Sequence, residues 1–207
     1  MMQYVRDPAE IYAQSFATIE HEVDLASYSL AMAKVVTRLI HACGMTDIVD
    51  DLDFAESAAE IGADALRQGA AIYCDVEMVR AGIIRSRLPE GTETICTLND
   101  ARTNALAVER SVTRSAAAVD LWKPLSGSIC VIGNAPTALF RLLERIDEGV
   151  GTPALIVGIP VGFVGAVESK RALADHGSKL PFVTVHGRRG GSAMASSVIN
   201  GLSGEAK

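Results

Sequence analysis

The chain is poor in aromatic residues, which make up 5% of its 207 positions and include a single tryptophan. Its core must be filled mainly by Ala, Val, Leu and Ile. The hydrophobic fraction of 49% excludes a disordered chain. Paired cysteines are missing as well. Cys43, Cys74, Cys96 and Cys130 form no C-x-x-C pair, which removes the common zinc and redox arrangements and leaves reduced, buried thiols as the expectation. There is no excess of positive charge. Nineteen Lys and Arg against 25 Asp and Glu give a net charge of −6, which argues against nucleic acid or an anionic membrane as partner. Long apolar runs are absent too: the stretch 154–167 is interrupted by Gly and Pro and is too short to span a bilayer. No secretion signal precedes Asp7, so a cytoplasmic protein is expected.

Several ligand motifs are also missing. Gly158 to Gly165 reads G-x-x-x-G-x-x-G, which departs from the dinucleotide fingerprint, and Pro160 removes an N–H that a phosphate would use. There is no G-x-x-x-x-G-K-[ST] loop and no G-x-S-x-G elbow, so nucleotide binding and serine-hydrolase chemistry are disfavoured.

What is present is an alternation. The first third reads as helix: Asp7-Pro8-Ala9-Glu10 is a helix start, a second helix covers about 27–43 and stops at Gly44, and a third covers 56–67. Short apolar runs then follow at 71–74, 94–98, 128–132, 154–158 and 182–185. Helical stretches separate them at 76–81, 102–120, 137–147 and 166–174, and 192–199 follows the last run. Continuous apolar strands alternating with helices predict a mostly parallel sheet covered on both faces. The expectation is a single three-layer α/β/α domain over 1–207, with the N-terminal helices packed on it.

Three joints at the ends of the predicted strands are rich in Gly: 133–137, 158–165 and 186–192. In open parallel sheets ligands bind at the carboxyl ends of strands, and Gly permits close approach. His41 lies on the second helix. There Tyr28, Met32, Val35, Val36, Leu39 and Cys43 form an apolar stripe, and His41 falls on the far side with Lys34 and Thr37. Arg38 is one turn back on the same flank. The helix end favours an imidazolium. By position alone, His41 is either a solvent-exposed capping residue or a proton donor. His21 reads as surface, His176 as a helix end, and His186 as a strand end beside Arg188 and Arg189, where a site-lining role and a structural one stand equal. On a continuous helix over 102–120, Leu106, Val108, Val112, Ala116 and Val119 would share one face. Thr103, Ala107, Arg110, Arg114 and Ala118 would form a small, cationic shelf opposite, either an ordinary solvated face or a bed for a flat anion. Local Arg clusters in an acidic protein suit a polycarboxylate ligand.

The chain resembles the precorrin-8X methylmutase family from end to end. The resemblance is carried by Asp7-Pro8 with Ile11, Ser15, Phe16 and Ile19; by Arg38 to Gly44 around His41; and by Cys74 to Val79 leading to Gly82-Ile83. It continues through Arg110, Arg114-Ser115, Gly133 to Leu139, Gly158 to Val164, Glu168-Ser169-Lys170 and Arg189 to Ser192. It implies an isomerase that moves a methyl group from C-11 to C-12 of a corrinoid macrocycle by a suprafacial 1,5-sigmatropic shift, giving hydrogenobyrinic acid. No cofactor and no metal are implied. His41 matches the catalytic histidine, Ser15 and Arg38 match substrate contacts, and Arg114 is carried over as a further one. The resemblance implies a homodimer with the macrocycle near the subunit interface. The small shelf at Ala107 and Ala118 would allow the subunits to approach closely, and hand-over of product to the next enzyme is a further expected contact. Rival readings are a cobalt-precorrin-8 methylmutase, a non-catalytic corrinoid carrier and, more distantly, a nucleotide-dependent enzyme.

Overall fold

The computed structural model describes residues 2–177 and 179–204. Helix α1 spans Pro8–Glu22, with Asp7 Oδ1 accepting from the Glu10 amide at 3.0 Å. Helix α2 spans Leu30–Cys43. Ser29 caps its start and Gly44, at φ 67°, ends it in the left-handed region. A 3₁₀ segment, Thr46–Asp51, leads into strand β1, Leu52–Phe54. Then follow α3 (Ala58–Arg67), β2 (Ile72–Cys74), α4 (Glu77–Gly82), a 3₁₀ turn Arg85–Arg87, and β3 (Thr94–Ile95). The second half holds α5 (Ala101–Arg110), α6 (Arg114–Val119), β4 (Ile129–Ile132), α7 (Pro136–Asp147), β5 (Leu155–Gly158), α8 (Ala166–Ala174), β6 (Phe182–Val185) and α9 (Ser192–Leu202).

The sheet order is β1-β6-β5-β4-β2-β3. All pairs are parallel except β1–β6. Alternate strand residues feed two cores. Ile129, Val131, Leu155 and Val157 meet α2, α3 and α9 on one face. Cys130, Ile132 and Ile156 meet α7 and α8 on the other. This is the expected three-layer α/β/α arrangement. Helix α2 anchors through Met32, Val35, Val36, Leu39 and Ile40, all buried, each contributing about 1.5–3 kcal/mol. It also lies against α9 at backbone distance: a Cβ on Gly201 would stand 2.7 Å from Val35 Cα. That contact fixes where α2 carries its polar flank.

Two expectations fail. Strand β1 is an addition, an antiparallel edge strand of three half-buried residues. The expected helix over 102–120 is two helices, broken where Ser111 turns to φ 53° and Thr113 caps α6. The break rotates the faces. Thr103, Ala107 and Ala118 are buried, whereas Val108 and Val112 are exposed. Ala107 and Ala118 therefore form no free shelf for a second subunit. The thiols are free, with Cys74 and Cys130 buried and Cys43 and Cys96 half-buried. No helix of the described residues is long and apolar enough to cross a membrane.

Candidate functional site

On α1, Tyr12, Ser15 and Phe16 stand at i, i+3 and i+4 and share one face. That face meets the end of α2. Ser15 Oγ lies 2.8 Å from His41 Nδ1. The Tyr12 ring stacks on the imidazole at 5.3 Å and 27°, and Phe16 meets it edge-on at 5.5 Å and 87°. The Arg38 guanidinium sits 5.4 Å from the Tyr12 ring centroid and 4.9 Å from that of Phe16. Three residues named from sequence (Ser15, Arg38 and His41) are thus gathered into one group. Ser15 on α1 and His41 on α2 are 26 positions apart in the chain.

Electrostatics correct one expectation. Burial, and then the neighbouring Arg38 charge, lower the His41 pKa below 6.5. The helix end favours a proton by only about 0.3–1 kcal/mol, and here these two effects outweigh it. Free of ligand, this environment favours the neutral ring. In the tautomer whose Nδ1 accepts from the Ser15 hydroxyl, the ring proton sits on Nε2, which then presents a donor even in the neutral state. Arg38 is lowered by its own burial and by Arg87, and is partly restored by Tyr12.

Arg114 stands apart. It donates to the Leu98 carbonyl at 3.1 Å and to Asn99 Oδ1 at 2.8 Å, beyond strand β3 at the sheet edge opposite β1. Arg110 is drawn into an ion pair with Asp120 at 2.5 Å. Arg189 is neutralised by Asp47 and Asp51 at 2.7 and 2.5 Å, while Arg188 lies 5.2 Å from the centroid of the exposed Phe163 ring. His186 pairs with Asp53 at 2.9 Å and His21 is exposed. His176 follows the end of α8 and lies 3.2 Å from Asp147.

The Gly-rich joints are rigidly built. Asp75, almost wholly buried, accepts from the amides of Gly133, Asn134 and Ala135 at 2.9–3.0 Å. Its desolvation outweighs these bonds and raises its pKa. Lys170 is also buried, and donates to the carbonyls of Gly187 and Arg189 at 3.2 and 2.5 Å. Burial pushes its ammonium down to about 8. At Gly190 a Cβ would stand 2.5 Å from the Pro160 carbonyl oxygen, so the second and third joints touch backbone to backbone. The apolar tip of the second joint leaves Phe163 and Val164 86% and 88% exposed.

Sequence reading missed Tyr12, whose i, i+4 spacing to Phe16 was the available signal. It also missed a cleft of about 560 Å³ that starts at Phe16 and Arg38 and continues past Lys34 and Arg87.

Residues 10–204 match the family model described as precorrin-8X methylmutase. The chain is 55% identical over 206 residues to the precorrin-8X methylmutase of Pseudomonas aeruginosa, covering 99% of both proteins. It is 40% identical to the cobalt-precorrin-8 methylmutase of Salmonella typhimurium, covering 97% of each. Among solved structures, the precorrin-8x methyl mutase from Thermus thermophilus superposes with a TM-score of 0.84 at 34% identity, covering 94% of both chains. The chain belongs to the precorrin-8X methylmutase family and is an isomerase of cobalamin biosynthesis.

Proposed function

We propose that this single-domain protein moves the methyl group of precorrin-8X from C-11 to C-12, yielding hydrogenobyrinic acid by a 1,5-sigmatropic shift. One observation carries the role of His41. Its Nδ1 is held by Ser15 while the ring is stacked on Tyr12, so Nε2 is oriented and makes no hydrogen bond among the described residues. Such a shift needs neither nucleophile nor electron acceptor. It needs the macrocycle held in its reactive tautomer and charge stabilised at a ring nitrogen. Nε2 donates a proton or hydrogen bond to the ring C nitrogen, and Arg38 takes a peripheral carboxylate. The flat walls of Tyr12 and Phe16 suit a conjugated ring.

Arg114 is hydrogen-bonded to Leu98 and Asn99 and not to this group, which fits a macrocycle held between two copies of the chain. The exposed Phe163 and Val164 support a homodimer with the substrate at its interface. A cytoplasmic location and direct hand-over of product fit the same reading. The higher identity to a relative named for precorrin-8X than to those named for cobalt-precorrin-8 favours the metal-free macrocycle.

The test is single-turnover mixing of purified protein with precorrin-8X, followed by visible absorbance and by NMR of the product C-methyl groups. The expected result is rearranged chromophore. An unrearranged, bound chromophore would make the protein a carrier. Turnover of the cobalt-bearing macrocycle alone would assign it to the other substrate.

A further inference from the structure

The cleft beside the His41 group is cationic beyond what the reaction centre requires. Along α2, Lys34 and Arg38 follow each other at i and i+4 on the flank that ends at His41. Arg87, from the 3₁₀ turn after α4, closes the opposite wall. Among the described residues none of these three has a carboxylate within ion-pair distance. Among the described residues Glu20 is the one acidic residue that lines the cleft. Arg38 feels Arg87 as a repulsive neighbour. Arg87 Nε is buried without an acceptor among the described residues. A buried guanidinium N–H left unpaired is costly, and so are two facing cations with no counter-ion. An anion placed between Arg38 and Arg87 relieves both. Reorienting Arg87 to meet it sacrifices no hydrogen bond at Nε. The same Arg87 and Lys34 also border a neighbouring cleft of about 820 Å³, so the trench is open to a large ligand whose edge alone enters.

We infer that Arg87 and Lys34 form a carboxylate-binding subsite next to Arg38. It receives one peripheral acid side chain of the ligand whose ring lies against His41. The subsite rests on the proposed macrocycle reading for the identity of that acid, but not for its chemistry. Arg87 supplies the planar fork and Lys34 a point charge. The subsite fixes the rotation of the macrocycle in its plane, and so which ring nitrogen faces Nε2.

The experiment has two arms. In the first, parent and Arg87→Gln proteins are titrated with the product macrocycle, and with the same macrocycle carrying primary amides in place of its peripheral acids. Loss of a charged hydrogen bond should raise Kd for the free acid on the order of 10- to 100-fold. The Kd for the amide should be equal in the two proteins. An equal loss for acid and amide, or no loss, overturns the subsite. In the second arm, ¹⁵N NMR follows the Arg87 Nε–H signal, assigned by its absence in Arg87→Gln, as millimolar tricarballylate is added. A shift in the parent that Lys34→Gln weakens supports the subsite. An unmoved signal overturns it even if the macrocycle binds. A moved signal in a protein that binds no macrocycle keeps the carboxylate subsite and rejects the substrate reading.

Discussion

Replacing Ser15 by Ala removes one hydroxyl and little else. The residue is half-buried on α1, and its Oγ bonds to His41 Nδ1 at 2.8 Å. Loss of that bond costs about 0.5–1.5 kcal/mol, whereas Ala gains up to about 0.5 kcal/mol of helix propensity over Ser. Net stability should therefore change by no more than about 1.5 kcal/mol. The effect on chemistry is separate. Without the hydroxyl, nothing on α1 selects which imidazole nitrogen carries the proton, and the ring can turn on its Tyr12 stack. If the orientation that this bond supplies is realised as about 0.5–1.5 kcal/mol in the transition state beyond the ground state, as large as the bond itself, the single-turnover rate falls about 2- to 12-fold. Binding of product should change less than the rate, because the Arg contacts remain. Stopped-flow absorbance gives the rate, and long-range ¹⁵N–¹H imidazole spectra give the tautomer. A variant that keeps the Nε2–H tautomer and the parent rate would show that Ser15 does not orient His41. A variant that loses several kcal/mol of stability would show that the hydroxyl is structural.

His41→Ala should lose on the order of 10²–10⁴ in rate while still binding product, measured in the same mixing experiment. It also removes two ring contacts and a hydrogen bond, so its Tm should fall by an amount matching about 1–3 kcal/mol. The His41 imidazole, followed by NMR, should titrate below 6.5 in the free protein. The bound polycarboxylate offsets Arg38 and favours the charged ring, so the midpoint should rise in the complex. By linkage, binding then tightens as pH falls through that window; a midpoint unmoved by ligand would contradict the charge argument. Arg114→Ala should weaken product binding by about 1.5–3 kcal/mol only if the protein is dimeric, and sedimentation equilibrium showing a monomer alone would reject that arrangement. Asp75→Ala leaves three amides without their buried acceptor and should cost at least about 3 kcal/mol in urea unfolding.

The parallel strands were legible because each is a short, continuous apolar run, and the 182–185 run coincides with β6. Leu52-Asp53-Phe54 carries no such signal. It is half-buried, and its pairing with β6 is settled by tertiary contact. The break at 111–113 was written as Ser-Val-Thr, a capping pattern overridden in reading by an apparent helical face. The wheel placed His41 off the apolar stripe, and it is indeed half-exposed. It could not supply the neighbours that lower its pKa, because burial by α1 depends on how two helices meet. Family motifs brought Ser15, Arg38 and His41 forward together. Arg87 stayed hidden because a 3₁₀ turn has no periodicity to read.

The backbone contact at Gly190 has a consequence for motion. Because Gly190 rests on the Pro160 and Ile159 carbonyls, and Lys170 grips the carbonyls on either side of Arg188, the two turns cannot part independently. Their amides should exchange with solvent as one cooperative unit, with shared protection factors. The exposed Phe163 and Val164 are then carried on a stiff mount, and a partner or ligand meets them already positioned. Ordering entropy that a loose loop would forfeit on contact has been spent during folding.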